Sequence, residues 1–200
     1  MRDNYTHICV VLDASGSMSV LHETTIQSFN EFIQTQKKEE GKTVVDVFQF
    51  ANSTRRIVKS LDISTINENL MSDYVCAGCT AMYDAICTAI DTLGKEFAAM
   101  PEHERPANVL VAILTDGLEN ASRQFTCEDV KKRIKLQTET YSWEFMFLAA
   151  NQDAVLSGGR FGIEESKCRT LSMIDMSRGF GWSLMADRAA SMRRKKKNQN

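Results

Sequence analysis

The sequence predicts a doubly wound α/β domain, and three observations carry that prediction. Ile8–Leu12, Val109–Leu114 and Phe145–Ala150 are unbroken apolar runs without the alternation that one wet face would impose, as expected of central parallel strands covered on both sides. Between them lie helical patterns with a single apolar side. Two further strand-like segments are joined by a link too short for a parallel crossover.

In chain order, Ile8–Leu12 is the first strand, and it breaks into Asp13-Ala14-Ser15-Gly16-Ser17. Ile26, Phe29 and Ile33 mark a helix that ends before Gly41. Thr43–Phe50 and Arg55–Leu61 read as strands joined only by Ala51-Asn52-Ser53-Thr54, so they are antiparallel and the second lies at an edge. Met82, Ile86, Ile90, Leu93 and Phe97, spaced four, four, three and four apart, give the next helix. After Val109–Leu114, Thr126 and Asp129 resemble a capping box opening a helix through Val130 and Ile134. Phe145–Ala150 follows as a strand, Cys168–Met173 as a weaker sixth, and Phe180–Met192 as a last helix.

Two hundred residues with 43% hydrophobic content suffice for one well-cored domain and are too few for two of ordinary size. We therefore expect a single domain over 1–192, with a C-terminal helix at about 177–192. A basic, disordered tail should follow over 193–200, opening with Arg193-Arg194-Lys195-Lys196-Lys197. A net charge of −2 gives the body no general attraction to nucleic acid or anionic lipid. No signal-peptide pattern opens the chain, and no apolar run approaches the roughly 18 residues of a spanning helix. The expectation is a soluble, cytoplasmic protein with no membrane partner, whose six cysteines are mostly reduced and buried.

In doubly wound sheets, ligands sit outside the carboxyl ends of the strands. Asp13 and Asp116 each follow an apolar run directly and precede a glycine within a few residues, so on neighbouring strands their carboxylates would meet at one crevice. Cys76-Ala77-Gly78-Cys79-Thr80 lies just ahead of the Met82–Phe97 helix and reaches the same edge. Asp13, Ser15, Ser17, Thr80 and Asp116 then offer only hard oxygens, which suits Mg²⁺ or Mn²⁺ at about 2.0–2.1 Å. Zinc would want His or Cys. Alternation in Asp-x-Ser-x-Ser sends the three side chains to one side, while Gly16 lets the chain bend.

"DASGS", "GCTAMYDAI" and "LTDGLEN" together resemble the von Willebrand factor A family over a core of about residues 5–175. That family carries a metal-ion-dependent adhesion site, or MIDAS, made of Asp-x-Ser-x-Ser, a separate Thr and an Asp before Gly. The resemblance implies a Rossmann-like, mostly parallel six-stranded sheet in the order 3-2-1-4-5-6, with strand 3 antiparallel at the edge and helices on both faces. It also implies that Ser15, Ser17 and Thr80 bind an ion directly while Asp13 and Asp116 hold its waters. One position is left for an Asp or Glu carboxylate of another protein. Mg²⁺ is the expected ion, with Mn²⁺ and Ca²⁺ as alternatives.

The chain resembles compact intracellular members from bacteria and phages, among them TerY-like proteins and partners of MoxR-type AAA+ ATPases. An adaptor without catalysis is implied, its partner a MoxR-type ATPase or an associated complex. Cys79 departs from the family pattern, which commonly has glycine there; a Cys76–Cys79 disulfide would make a redox gate beside Thr80.

Rival chemistries fit less well. A phosphate loop needs GxxxxGK[ST], and no lysine lies between Arg2 and Lys37. A metal-dependent phosphatase or phosphotransferase of the haloacid dehalogenase type, using Asp13, needs Asp-x-Asp, and Ser15 stands where its acid would be. No GxSxG elbow is present. The plainest alternative is that Asp13, Ser15 and Ser17 only cap the next helix. Glu23, Glu119 and Asn120 are expected near the rim of the site, and Asp84 either caps its helix or steadies the loop.

Overall fold

The computed structural model describes residues 1–66, 70–150 and 153–197. Its sheet is built on β1 (Arg2–Asp13), flanked on one side by β2 (Lys42–Phe50) and β3 (Thr54–Asp62). On the other side lie β4 (Pro106–Thr115), β5 (Glu144–Ala150) and β6 (Cys168–Leu171). The spatial order is β3-β2-β1-β4-β5-β6, parallel throughout except for antiparallel β3, as the sequence implied.

Alternate residues of β1 supply two apolar layers. Ile8, Val10 and Leu12 join Phe29, Phe32 and Ile33 of α1 (His22–Gln36) and Trp182 and Met185 of α6 (Phe180–Lys197). Cys9 and Val11 face the other way, against Ile86, Ile90 and Leu93 of α2 (Met82–Ala99) and Val130 and Ile134 of α3 (Cys127–Tyr141). Burial on both sides is why the strand sequence shows no alternation. Trp182 locks α6 to α1, its ring 5.4 Å from Phe29 and 5.7 Å from Phe32.

At the β2–β3 edge, Val45 pairs with Leu61 and Val47 with Val58, so Lys59 and Ser60 together oppose Asp46 in a bulge. Ser60 takes the left-handed conformation there, with φ 42°. The buried Asp46 carboxylate accepts the Ser60 N–H at 3.2 Å, lies 2.7 Å from His7 Nε2 and pairs with Arg56. Arg56 also reaches Glu96 on α2, at 2.6 and 2.9 Å.

The boundaries differ from expectation where polar residues occupy regular structure. The first strand begins at Arg2 rather than Ile8, because its polar N-terminal half still finds partners in Lys42 and Pro106. The sixth strand stops at Leu171, since Ser172 caps α5 (Met173–Ser177) in a capping box with Asp175. A further short helix, α4 (Ala154–Arg160), contains Gly158 and Gly159 and gave no helical signal.

Helix α6 continues to Lys197, so the expected tail begins inside it. Arg193 Nη2 donates to Thr43 Oγ1 at 2.9 Å, tying that turn to β2 rather than leaving it in solvent. The last residues of that tail, 198–200, lie outside the described residues. Among the described residues, no helix is long and apolar enough to cross a membrane.

Candidate functional site

β1 and β4 are parallel neighbours in register, Leu12 opposite Leu114, so Asp13 and Asp116 leave the sheet side by side at its carboxyl edge. Asp13 Oδ1 accepts the Ser15 N–H at 2.7 Å, and Thr115 Oγ1 donates to its Oδ2 at 2.5 Å. Ser15 Oγ lies 3.1 Å from Ser17 Oγ, which donates to Asp116 Oδ1 at 2.7 Å. A methyl group built on Gly117 would lie 3.4 Å from Thr80 Oγ1, 3.9 Å from Ser17 Oγ and 4.0 Å from Asp13 Oδ2. All five residues named from the sequence thus converge on one small cup. Asp13, Ser15, Thr80 and Asp116 are buried, and Ser17 stands at the mouth.

The segment ahead of α2 is stitched to this loop. Tyr74 Oη donates to the Asp13 carbonyl at 2.7 Å, Ala77 N–H to the Ala14 carbonyl at 2.8 Å, and Gly16 N–H to the Gly78 carbonyl at 3.0 Å. His22 stacks on Tyr74 with ring centroids 5.5 Å apart. Gly78 makes the turn with φ 85°, close against Asn52, whose Oδ1 accepts the Cys79 N–H at 2.7 Å.

Thr80 is fixed from β4's loop, its N–H bonded to Asn120 Oδ1 at 2.9 Å and its carbonyl to Asn120 N–H at 3.1 Å. The Glu119 carboxylate is engaged by the N–H groups of Tyr83, Ala121 and Ser122 at 2.7–2.9 Å, not offered to the rim. Asp84 steadies the loop, accepting from the N–H groups of Arg123, Gln124 and Phe125.

Burial lifts the Asp13 carboxyl above its ordinary range; hydrogen bonds from Thr115 and Ser15 oppose the rise and the Asp116 charge adds to it. The groups that donate to Asp13, the Ser15 N–H and the Thr115 hydroxyl, are neutral, so two neighbouring carboxylates share a cup lined with hydroxyls. That donor set fits a hard divalent cation, which would offset both charges. Among the described residues no group of three or more His, Cys, Asp or Glu is placed to hold a metal, so an ion here depends on the hydroxyl oxygens.

The rival chemistries lack their parts. Ser15 Oγ faces Ser17, with a neutral hydroxyl where a phosphotransferase would need an acid. His7 is engaged with Asp46 and His22 with the Tyr74 carbonyl, and no hydrogen bond joins either ring to Ser15 or Ser17 among those the described residues show. All six cysteines are free, Cys79 exposed and Cys76 half-buried.

Tyr74, Thr115 and Asn52 are parts of the site that the sequence did not disclose. Each acts through a bond to residues distant in the chain or through its backbone, and no local spacing marks them.

No protein-family model and no curated protein matches the sequence. Solved structures do match. Proximal thread matrix protein 1 from the mussel byssus aligns over 92% of this chain with a TM-score of 0.65 at 16% identity, the chain spanning 46% of that protein. The von Willebrand factor domain of the type V pili tip protein Mfa5 from Porphyromonas gingivalis aligns over 91% of this chain and 94% of its own, with a TM-score of 0.65 at 9% identity. A further structure of the mussel protein, with a zinc-occupied MIDAS motif, gives a TM-score of 0.54 at 14% identity, covering 90% of this chain and 46% of its own. The chain has the von Willebrand factor A fold.

Proposed function

We propose that this chain, with its von Willebrand factor A fold, is a divalent-cation-dependent protein-binding module without catalytic activity. Asp13, Ser15, Ser17, Thr80 and Asp116 would hold the ion. When bound, it supplies an electrophilic centre with few anionic ligands, suited to an Asp or Glu carboxylate of a partner. Ser17 and Thr80 direct their hydroxyls into the cup, and the Asp116 carboxylate orients Ser17. Asp13 orders the turn through Ser15 and Thr115.

The carrying observation is the convergence of three oxygens, from Ser17, Thr80 and Asp13, within 4.0 Å of the Gly117 methyl position. The hard donors favour Mg²⁺, with Mn²⁺ and Ca²⁺ as alternatives. The zinc-occupied MIDAS of the mussel protein means that this fold does not exclude zinc, contrary to a reading from donor softness alone. We assign the domain an adaptor role in the cytoplasm, toward a MoxR-type ATPase or an associated complex.

Calorimetric titration with Mg²⁺, Mn²⁺, Ca²⁺ and Zn²⁺ tests the ion. One-to-one binding that is lost in Asp116→Ala supports the reading, and absence of binding to any of the four overturns it. Hydrolysis of p-nitrophenyl phosphate abolished in Asp13→Asn would instead establish the phosphotransferase alternative.

A further inference from the structure

The three segments that build the cup carry exposed apolar side chains that the metal reading leaves without a task. Val20 is 77% exposed, Leu118 62% and Val75 61%. Ser17 and Val20 lie three apart in the 3₁₀ turn Gly16–Leu21, where residues at that spacing eclipse, so Val20 stands on the same side as Ser17. Leu118 follows Gly117, at whose methyl position the oxygens of Thr80, Ser17 and Asp13 converge. Val75 lies between the buried Tyr74 and the half-buried Cys76, on the segment hydrogen-bonded to Asp13 and Ala14. Three connections from different parts of the chain thus each present one large apolar side chain to solvent around one polar cup.

Charge narrows what this rim receives. The segments 16–23, 74–80 and 116–122 contain no lysine or arginine. Within these three segments a partner carboxylate therefore finds its countercharge at the ion. Additional partner acids would meet Glu23, which is exposed, and no compensating cation on these loops. Partner lysines would meet the ion itself. Apolar surface is what the rim can bury favourably.

We infer that Val20, Val75 and Leu118 form a collar selecting a partner that presents a single carboxylate from within an apolar patch, an inference that rests on the metal-dependent reading above. The collar sets which carboxylate is accepted, while the ion supplies the attraction common to all of them.

The test uses the full chain and three labelled pentapeptides, each with a central glutamate flanked by leucine and phenylalanine, by serine, or by further glutamates. Fluorescence anisotropy in Mg²⁺ should give the apolar-flanked peptide an affinity about tenfold above the serine-flanked one, with the all-acidic one weaker still. EDTA should remove binding of all three. The apolar advantage should shrink in Leu118→Ser and vanish in the Val20→Ser/Val75→Ser/Leu118→Ser variant, yet persist in Leu136→Ser, an exposed apolar position on α3 beside Met1. Circular dichroism melts accompany each variant, and the single substitution serves if the triple one fails to fold.

Equal affinities for the three peptides, or an apolar preference that survives the collar substitutions, would overturn the inference. A parallel Mn²⁺ titration separates the two levels. A chain that binds Mn²⁺ without flank preference loses the collar alone, whereas a chain that binds no divalent ion loses the metal reading and the collar with it.

Discussion

Asn120 holds Thr80 by both of its backbone groups, its Oδ1 accepting the Thr80 N–H at 2.9 Å and its own N–H donating to the Thr80 carbonyl at 3.1 Å. A residue on the loop after β4 therefore sets the position of a hydroxyl on the loop before α2. Asn120→Ala leaves a buried N–H without its acceptor, a loss of about 1–3 kcal/mol in urea unfolding. Mn²⁺ affinity should fall with it in calorimetry. Asn120→Asp keeps the acceptor and should restore most of the stability.

Thr80→Val exchanges one hydroxyl for a methyl of similar size at a buried position. Mg²⁺ and Mn²⁺ affinity should drop at least about tenfold, the effect of losing one ligand at a site of few ligands. In EDTA the unfolding free energy should change by less than about 1 kcal/mol. A large loss of stability in EDTA would show that the hydroxyl serves the fold instead.

Gly78→Ala tests the stitched segment. Gly78 has φ 85°, and a Cβ there would lie 2.9 Å from the Asn52 side-chain amide. Strain and collision together should cost about 1–3 kcal/mol. In the background of Asn52→Ala the collision is gone and the backbone strain remains, so a double-mutant cycle by chemical denaturation should show positive rescue that is incomplete.

Asp46 makes stability depend on acid. Burial alone would raise its carboxyl, but the hydrogen bonds and charges of His7 and Arg56 together outweigh burial and hold it below the ordinary carboxylate range. The unfolded chain therefore takes up this proton first as pH falls below about 4. The contribution of Asp46 is fully present above that pH and is lost as pH drops toward the folded-state value. Asp46→Asn should flatten part of this acid limb and cost about 3–5 kcal/mol near neutrality, because Arg56 loses a buried partner. Denaturant midpoints between pH 7 and about pH 2 read both effects.

The parts of the molecule written locally in the sequence are the unbroken apolar runs and the one-sided helical spacings. Strands β4 and β5 are legible because both faces are covered, and α2 because its apolar spacing is uninterrupted. The capping box of α3 forms as its Thr126 and Asp129 suggest. The five cup residues could be named because Asp13, Ser15, Ser17 and Asp116 lie next to an apolar run or a glycine and Thr80 lies just ahead of a helical pattern. Asn120 and Glu119 could be placed near the site but not assigned, since the bonds that tie them to the segment around Thr80 and Tyr83 span 36 to 40 residues. The polar half of β1 and the glycine-bearing α4 were hidden because pairing and packing overrode weak local propensity.

Both margins of the sheet are poor templates for another strand. β3 bears Arg55, Arg56 and Lys59 and shifts its register with β2 twice, while β6 is only four residues long. The Asp46 tether on Ser60 keeps the bulge in place, so the backbone groups along that margin do not run in a flat row. Copies of the domain can then stand at high concentration, or in series on one assembly, without zipping together through their sheets. Association is channelled to side chains, where identity can be checked, and away from main chain, which is the same in every protein.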